Sequence, residues 1–215
     1  MTSLELAAEE VQVWVAPLDV SKERYAALAK ALPAEERDRA ATLAPIAARR
    51  FVVARGILRT LLSGFTGTAA EQLRFSYGNS GKPALVGRDD IHFNISHSAD
   101  LGLFAFAPDR PVGVDVENER PVRRLLDVAH RFMSEAELRT LADAPPGERN
   151  AAFLRSWVVR EACLKAQGKG VWSGAVNSDP QFPLTHKLFA PRPNYIAAVA
   201  APHSDWRLYT CAMKE

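Results

Sequence analysis

Cysteine is scarce in this sequence, with two residues among 215, Cys163 and Cys211. They lie far apart and outside any CxxC or Cys/His spacing, which excludes a zinc ligand set and a disulfide framework. Long apolar runs are missing as well, since no stretch approaches the roughly 20 residues that a membrane span needs. The first residues are acidic where a secretory signal requires positive charge. We therefore expect a protein of the reducing cytoplasm, without a membrane partner.

A strong excess of charge of either sign is also absent, because 27 basic and 25 acidic residues leave a formal net charge of +2. The basic residues are spread along the chain and form no polybasic tail or stripe, so nucleic acid is not expected as a partner. Hydrophobic residues make up 47% and charged residues 24% of the sequence. These proportions exclude the disordered and fibrous classes and indicate a globular protein with a sizeable core.

The periodicity of the apolar residues predicts two successive groups of helices and strands. The first group comprises a strand over 11–15, helices over 21–32 and 47–62, and short strands over 73–77, 91–95 and 101–107. The second comprises a strand over 112–117, helices over 123–131, 135–142 and 148–167, and strands over 195–200 and 206–211. Because the order repeats after the proline-containing connection at 108–111, we predict an α+β fold of two related lobes, 1–108 and 109–215, facing one another.

Local signals add detail to this prediction. Gly64 is expected to end the helix over 47–62, and Gly56 inside that helix indicates close backbone packing. Ser134 and Glu137 fit the capping box at the start of a helix. Turns are expected at 78–81 and, between the last two strands, at 202–205.

The strand over 112–117 carries two acidic residues on one side. Its two-residue period sends Val112, Val114 and Val116 to one face and Gly113, Asp115 and Glu117 to the other. The Cα atoms of the two acids lie about 6.6 Å apart, close enough for both side chains to reach one cation. Gly113 is expected to leave open space beside them. This strand alone is equally compatible with a half-buried strand that has one solvated face.

The helix over 148–167 supplies a third acid. Glu161 continues its apolar stripe, lying within about 60° of Trp157, Leu164 and Lys165. An exposed Glu–Lys pair at i, i+4 is common, but this pair points toward the core, where charges are paired, metal-bound or catalytic. Asp115, Glu117 and Glu161 are therefore candidate ligands of a magnesium ion, with Lys165 facing substrate phosphate.

Other motifs are weaker. The sequence at 160–162 begins like a nucleotide-diphosphate hydrolase box, but Leu164 and Lys165 stand where that box needs paired glutamates. Ser96 and His97 lack an aspartate in a usable motif, which argues against serine hydrolysis. Arg55 is compatible both with an ordinary surface-reaching arginine and with phosphate recognition.

Five motifs in this order resemble those of the 4'-phosphopantetheinyl transferases of the surfactin-synthetase-activating type. They are Gly81-Lys82-Pro83, Phe93-Asn94-Ile95-Ser96-His97-Ser98, Gly113-Val114-Asp115-Val116-Glu117, Arg131-Phe132, and the stretch from Trp157 to Gly170 that includes Glu161 and Lys165. The resemblance implies two pseudo-duplicated lobes related by a pseudo-two-fold, with the active site between them. It also implies transfer of the phosphopantetheine arm of coenzyme A to a serine of an apo carrier protein, with release of adenosine 3',5'-bisphosphate.

The resemblance also implies roles for individual residues. Asp115, Glu117 and Glu161 would bind Mg2+ and the pyrophosphate, Glu161 would activate the carrier serine directly or through water, and Lys165 would stabilise phosphate charge. Coenzyme A would be bound by Arg55 and His97 at its phosphates and by Lys82, Pro83 and Ser96 near the adenine. Arg160 stands where lysine is usual, and a phosphate contact there is left open.

Two alternatives remain beside the transferase. A magnesium-dependent hydrolase of coenzyme A-like pyrophosphates would use the same acids with water as the nucleophile, and a non-catalytic coenzyme A-binding protein would not need them. The sequence does not distinguish acyl from peptidyl carrier proteins. We expect a monomer, because two fused lobes can build the cleft within one chain.

Overall fold

A computed structural model describes residues 4–78, 81–169 and 183–213 of the protein. The first group of elements is β1 (Glu10–Pro17), α1 (Lys22–Ala29), α2 (Ala34–Ala41), α3 (Pro45–Thr66), a 3-10 turn (Ala70–Gln72), β2 (Phe75–Tyr77), β3 (Pro83–Leu85), β4 (Ile91–Ser98) and β5 (Leu101–Pro108). The second is β6 (Gly113–Asn118), α4 (Leu125–Phe132), α5 (Glu135–Asp143), α6 (Arg149–Ala166), β7 (Leu184–Phe189), β8 (Tyr195–Pro202) and β9 (Arg207–Ala212). The predicted α+β class is confirmed.

The first sheet has the strand order β4-β5-β1-β9 and is covered on its outer face by α3. Phe104 and Phe106 of β5 pack there against Leu58 and Leu62 of α3, and all four side chains are fully buried. A Cβ atom on Gly56 would lie 2.6 Å from Leu28 Cβ of α1. The close backbone packing predicted at Gly56 is therefore confirmed.

The second sheet has the order β6-β8-β7 and carries α6 on its outer face, where Val158 and Ala162 pack with Ala198 and Ala200. The inner faces of the two sheets pack against each other through a shared core that includes Val13, Leu103, Val114, Val199 and Trp206. The protein is thus built of four layers, helices on sheet on sheet on helices. This arrangement places the acidic strand β6 between the first sheet and α6.

The last two strands, which the sequence places on either side of a turn at 202–205, belong to different sheets. β8 lies between β6 and β7, whereas β9 crosses to the first sheet and pairs in parallel with β1, with Val13 opposite Thr210. A strand of the predicted 109–215 lobe is therefore part of the sheet formed by the predicted 1–108 lobe. The lobe boundary and the pseudo-two-fold remain predictions.

Several element boundaries also differ from the sequence prediction. α3 continues past Gly64, which packs against Leu4, and ends at Gly67, whose φ of 70° lies in the left-handed region. α2 and β7 were not predicted. The Ser134–Glu137 capping box is confirmed. Residues 79–80 of the predicted turn and Gly170 of the last motif lie outside the described residues.

Within the described ranges, no helix combines the length and the apolar character needed to cross a membrane.

Candidate active site

The acidic strand β6 has the two faces that its sequence predicts. Val114 and Val116 are buried between the two sheets, while Asp115 and Glu117 lie on the opposite side, toward β4 and α6. Asp115 is buried, with 4% of its surface exposed, and Glu117 is half-buried. The alternative of a freely solvated acidic face is therefore wrong.

Gly113 does not leave open space, contrary to the sequence-based expectation. A Cβ atom there would lie 2.0 Å from the carbonyl oxygen of Ala162 and 2.4 Å from the amide nitrogen of Ala166. Real Cβ atoms do not approach backbone atoms so closely, so only glycine lets α6 cross β6 at this distance. This crossing brings Glu161 and Lys165 of α6 to the acidic strand.

Lys165 contacts the acidic strand directly. Its Nζ atom lies 2.6 Å from Asp115 Oδ1 and donates a second hydrogen bond to Ser96 Oγ at 3.1 Å. The carbonyl oxygen of Val114 lies 3.4 Å from the same nitrogen. The predicted orientation of Lys165 toward the core is confirmed, and its charge neutralises one of the acids.

The edge strand β4 fastens β6 through side chains rather than through a backbone ladder, since the two strands belong to different sheets. Asn94 Oδ1 accepts from the amide of Val114 at 2.9 Å. Ser96 donates to Asp115 at 2.7 Å, and Ser98 donates to Glu117 at 2.8 Å. Asn94, Ser96 and Ser98 follow the two-residue period of a strand, so one face of β4 holds both acids of β6.

Glu161 faces the same acids without a hydrogen-bond partner among the described residues. Burial raises its pKa to about 7; Lys165 acts against this shift, whereas the charges of Asp115 and Glu117 add to it. Burial also raises the pKa of Glu117, against the hydrogen bond from Ser98. Burial, together with repulsion from the neighbouring acids, therefore disfavours the ionised form of Glu161 in the metal-free site.

The predicted magnesium ligands are not assembled around one point. No three His, Cys, Asp or Glu side chains of the described residues converge closely enough to hold a metal ion. The donors nevertheless suit one, because Asp115 Oδ2 is buried and has no hydrogen-bond partner in the described part of the chain. Glu117 and Glu161 add carboxylate oxygens, the ligand type that Mg2+ prefers. The chemistry of these three side chains therefore fits a magnesium ion.

Lys82 ties the β2–β3 hairpin to the acidic strand and its helix. Its Nζ donates to the carbonyl oxygens of Val112 at 2.9 Å and Lys165 at 2.7 Å. Burial lowers its pKa to about 8. Lys82 and Pro83 also line a cavity of about 230 Å³ together with Glu161 and Lys165. The structure thus places these two predicted coenzyme A residues beside the acids.

Arg55 and His97 lie together on a second cavity of about 750 Å³, which Pro83 also lines. Arg55 is buried against Glu36 of α2, with its Nε 2.8 Å from Glu36 Oε1, and donates to Tyr77 at 3.1 Å. It is therefore held in a tertiary ion pair and does not reach into solvent as an isolated surface side chain. His97 is solvent-exposed at the cavity wall.

Two further arginines of this cavity, Arg39 and Arg50, were missed. Arg39 lies on α2, which the sequence prediction had not included. Arg50 lies on α3 beside Phe51, five residues before Arg55, and its position on that predicted helix was the available signal. Arg50 is paired with Asp19, its Nη2 atom lying 2.9 Å from Asp19 Oδ2, whereas Arg39 has no carboxylate partner among the described residues and adds positive charge to the cavity wall.

Arg160 contacts protein rather than the cavity. Its Nη2 atom lies 2.6 Å from Glu137 Oε2, the oxygen that also accepts a hydrogen bond from the amide of Ser134 in the capping box of α5. The structure therefore assigns Arg160 to the attachment of α5 to α6. It gives no support to a phosphate contact of this residue.

Comparison with known proteins agrees with the geometry. The sequence model of the 4'-phosphopantetheinyl transferase superfamily matches residues 111–208, which contain Asp115, Glu117, Glu161 and Lys165. The 4'-phosphopantetheinyl transferase HetI of Nostoc sp. is 38% identical over 173 residues, which cover 79% of this chain and 73% of HetI. The 4'-phosphopantetheinyl transferase Sfp of Bacillus subtilis is 30% identical over 174 residues, which cover 74% of this chain and 76% of Sfp. The chain belongs to the 4'-phosphopantetheinyl transferase family.

Proposed function

We propose that this protein transfers the 4'-phosphopantetheine group of coenzyme A to a serine of an apo acyl or peptidyl carrier protein and releases adenosine 3',5'-bisphosphate. The observation that carries the proposal is the meeting of Lys165 with Asp115 and Ser96 where α6, β6 and β4 converge. Phosphoryl transfer depends mainly on positioning and on neutralisation of phosphate charge. Lys165 supplies a cation in contact with Asp115, and Glu117 and Glu161 lie near enough to this pair to interact with it electrostatically.

The cavity of about 750 Å³ suits the nucleotide end of coenzyme A. Arg39 would offer positive charge to phosphate groups, while Arg50 and Arg55 are paired with Asp19 and Glu36 and would add guanidinium groups to the same wall. Guanidinium groups match phosphate geometry with paired N–H donors. Ile46 and Phe51 of the same cavity supply apolar surface for a base. A ligand with both a heteroaromatic ring and several phosphates fits this combination.

Lys165 and the carboxylates are assigned to the pyrophosphate. Lys165 Nζ would donate to the phosphate oxygens, while Asp115, Glu117 and Glu161 would hold a magnesium ion. When bound, this ion neutralises phosphate charge and favours departure of the leaving group. The repulsion that Asp115 and Glu117 exert on the Glu161 carboxylate supports a divalent cation at this position.

Glu161 is the candidate general base. In the metal-free site its pKa of about 7 lies close to neutral pH, where a general base works best, and a bound cation would lower this pKa and keep Glu161 ionised. It would take the proton of the carrier serine, directly or through water, as that oxygen attacks the β-phosphate of coenzyme A. No covalent enzyme intermediate is needed.

A further cavity of about 520 Å³ is lined in part by Glu117 and suits the acceptor side of the reaction. Phe153 and Trp157 of α6 form an apolar wall there, and Arg120 and Arg123 add positive charge. Glu117 thus belongs both to the wall of this cavity and to the acids that we assign to the cation.

The test is incubation of apo acyl and apo peptidyl carrier proteins with the enzyme, coenzyme A and Mg2+, followed by intact mass spectrometry. One added phosphopantetheine per carrier, absent when the carrier serine is replaced by alanine, is the expected result. Unmodified carriers together with release of adenosine 3',5'-bisphosphate from coenzyme A alone would instead establish a hydrolase. Omitting Mg2+ in the presence of a chelator tests the metal requirement.

A further inference from the structure

Ser98 lies at the end of β4 with 7% of its surface exposed, next to Glu117. Its hydroxyl accepts a hydrogen bond from the amide of Asn118 at 3.1 Å and donates one to Glu117 Oε2 at 2.8 Å. A hydroxyl has a single proton, and the bond from Asn118 commits the oxygen as an acceptor, so the proton is directed at the carboxylate. The hydroxyl of Ser98 therefore has a defined donor, the amide of Asn118, and a defined acceptor, the carboxylate of Glu117.

Glu117 needs such a restraint more than Asp115 does. A glutamate side chain has one more rotatable bond than aspartate and loses more conformational freedom when it is held in one position. Asp115 is held by Ser96 and by Lys165. Among the described residues, Glu117 has the hydroxyl of Ser98 as its one hydrogen-bond donor. Oε2 is engaged in this bond and Oε1 stays available.

The backbone supports the same arrangement. Asn94 fixes the start of β6 through the amide of Val114, and Ser98 fixes its end through the amide of Asn118. These two contacts hold β6 in a fixed register against β4. The hydroxyl of Ser98 and the carboxylate of Glu117 therefore lie next to each other on two strands whose relative position is fixed. Sites built on strands hold their geometry more tightly than sites on loops.

We infer that Ser98 is a positioning residue of the transferase: it restrains the Glu117 side chain through Oε2 and so leaves Oε1 available to the divalent cation. The inference rests on the proposed function, because it assigns Glu117 to cation binding. Ser98 itself touches neither substrate nor cation in this scheme. Its effect passes entirely through the Glu117 carboxylate.

Ser98→Ala and Ser98→Thr are the informative variants, since alanine removes the hydroxyl and threonine keeps it. Ser134→Ala is a matched control, because Ser134 also donates to a glutamate oxygen, Glu137 Oε2, at 2.7 Å and also accepts from a backbone amide. Both alanine variants lose a serine–glutamate hydrogen bond. The bond lost in Ser134→Ala lies in the capping box of α5.

The measurement is Mn2+ binding to each purified protein with coenzyme A present, by calorimetry and by the electron paramagnetic resonance signal of free Mn2+, alongside the melting temperature. We expect Ser98→Ala to weaken Mn2+ binding by about tenfold, as loss of a residue that orients a metal ligand does. Ser98→Thr should restore most of the affinity. Ser134→Ala should lower the melting temperature and leave Mn2+ affinity unchanged.

A double-mutant cycle with Glu117→Gln separates an effect of Ser98 that passes through Glu117 from a general effect on the fold, and the folded Ser98→Thr and Glu117→Gln proteins keep the test decisive. In the Glu117→Gln background, adding Ser98→Ala should weaken Mn2+ binding no further. Equal Mn2+ affinity of wild type and Ser98→Ala, or additive losses in the cycle, would overturn the inference. Ser98-dependent Mn2+ binding in an enzyme that modifies no carrier protein would refute the proposed function and leave the positioning role of Ser98 standing.

Discussion

Lys165 Nζ lies 2.6 Å from Asp115 Oδ1, so a cation of α6 is paired directly with a buried acid of β6. The pair joins two elements that Gly113 allows into backbone contact. It also leaves Asp115 Oδ2 without a hydrogen-bond partner among the described residues. Oδ1 of Asp115 thus forms contacts within the protein, and Oδ2 is the carboxylate oxygen available to a ligand.

Replacement of Lys165 by methionine should lower kcat strongly. The variant keeps the aliphatic length but loses the charge that we assign to the phosphates, and loss of one such preorganised donor costs about 10² to 10³ in rate. Carrier modification followed by mass spectrometry gives the rate. Lys165→Arg retains the charge and should be less impaired; a Lys165→Met enzyme with wild-type kcat would remove Lys165 from the chemistry.

Replacement of Glu161 by glutamine should separate activity from stability. The folded-state pKa of about 7 lies above the unfolded value of 4.5, so protonation of Glu161 stabilises the metal-free fold below pH 4.5 and this contribution is lost as pH rises through 7. Glu161→Gln removes the titration, so the unfolding free energy of the variant minus that of wild type should grow between pH 4.5 and 8. Activity should fall by at least about 10²-fold.

Urea unfolding of both proteins in chelator, at several pH values, measures the stability difference. A difference that does not change with pH would contradict the raised pKa of Glu161. Undiminished carrier modification by Glu161→Gln would remove this residue as the base.

Replacement of Gly113 by alanine should destabilise the protein by about 3 kcal/mol, because the new methyl group meets backbone atoms of α6 that have no room to move aside. Gly147→Ala is the control, since a Cβ atom there has no neighbour within 4 Å. Chemical denaturation reports both values. Similar stability of the two variants would show that α6 can shift away from β6, and retained activity of Gly113→Ala would show that the crossing is not required for the site.

Replacement of Lys82 by methionine should change the pH dependence of stability. The folded pKa of Lys82, about 8, lies below its unfolded value of 10.5, so the unfolded chain binds more protons between these limits and wild-type stability gains from Lys82 as pH rises through this window. Below pH 8 the cost of burying the ammonium is fully present. Lys82→Met lacks this gain, so the stability of wild type minus that of the variant should increase from pH 7.5 to 10.5.

Thermal and urea unfolding across this range test the prediction, with the other titrating groups common to both proteins. Parallel pH profiles would show that Lys82 is not held with a lowered pKa. Loss of the two hydrogen bonds from Lys82 to backbone carbonyl oxygens opposes, at every pH, the gain from removing the buried ammonium.

The sequence predicted the parts of the site that depend on local periodicity. A strand places every second residue on one face, which was sufficient to put Asp115 and Glu117 together. Helical spacing was sufficient to direct Glu161 and Lys165 inward. Neither pattern contains information on how α6 crosses β6, so the contact of Lys165 with Asp115 and the close approach at Gly113 were not predicted.

Other features depend on partners distant in sequence. α2 consists largely of alanine and charged residues and has little apolar periodicity, yet Glu36 pairs there with Arg55 and Arg59 of α3. Lys82 is expected from the sequence near the adenine of coenzyme A, and nothing in the sequence indicates that its long side chain reaches two backbone carbonyl oxygens. Such pairings follow from tertiary packing rather than from local preference.

The parallel pairing of β1 with β9 determines when the protein can finish folding. β1 is synthesised first, but one of its edges has no partner until residues 207–212 leave the ribosome. Such non-local pairing slows folding, and the waiting edge is a template on which another chain can add a strand. A chain cut before Arg207 should therefore keep β6 and its acids yet be prone to aggregation.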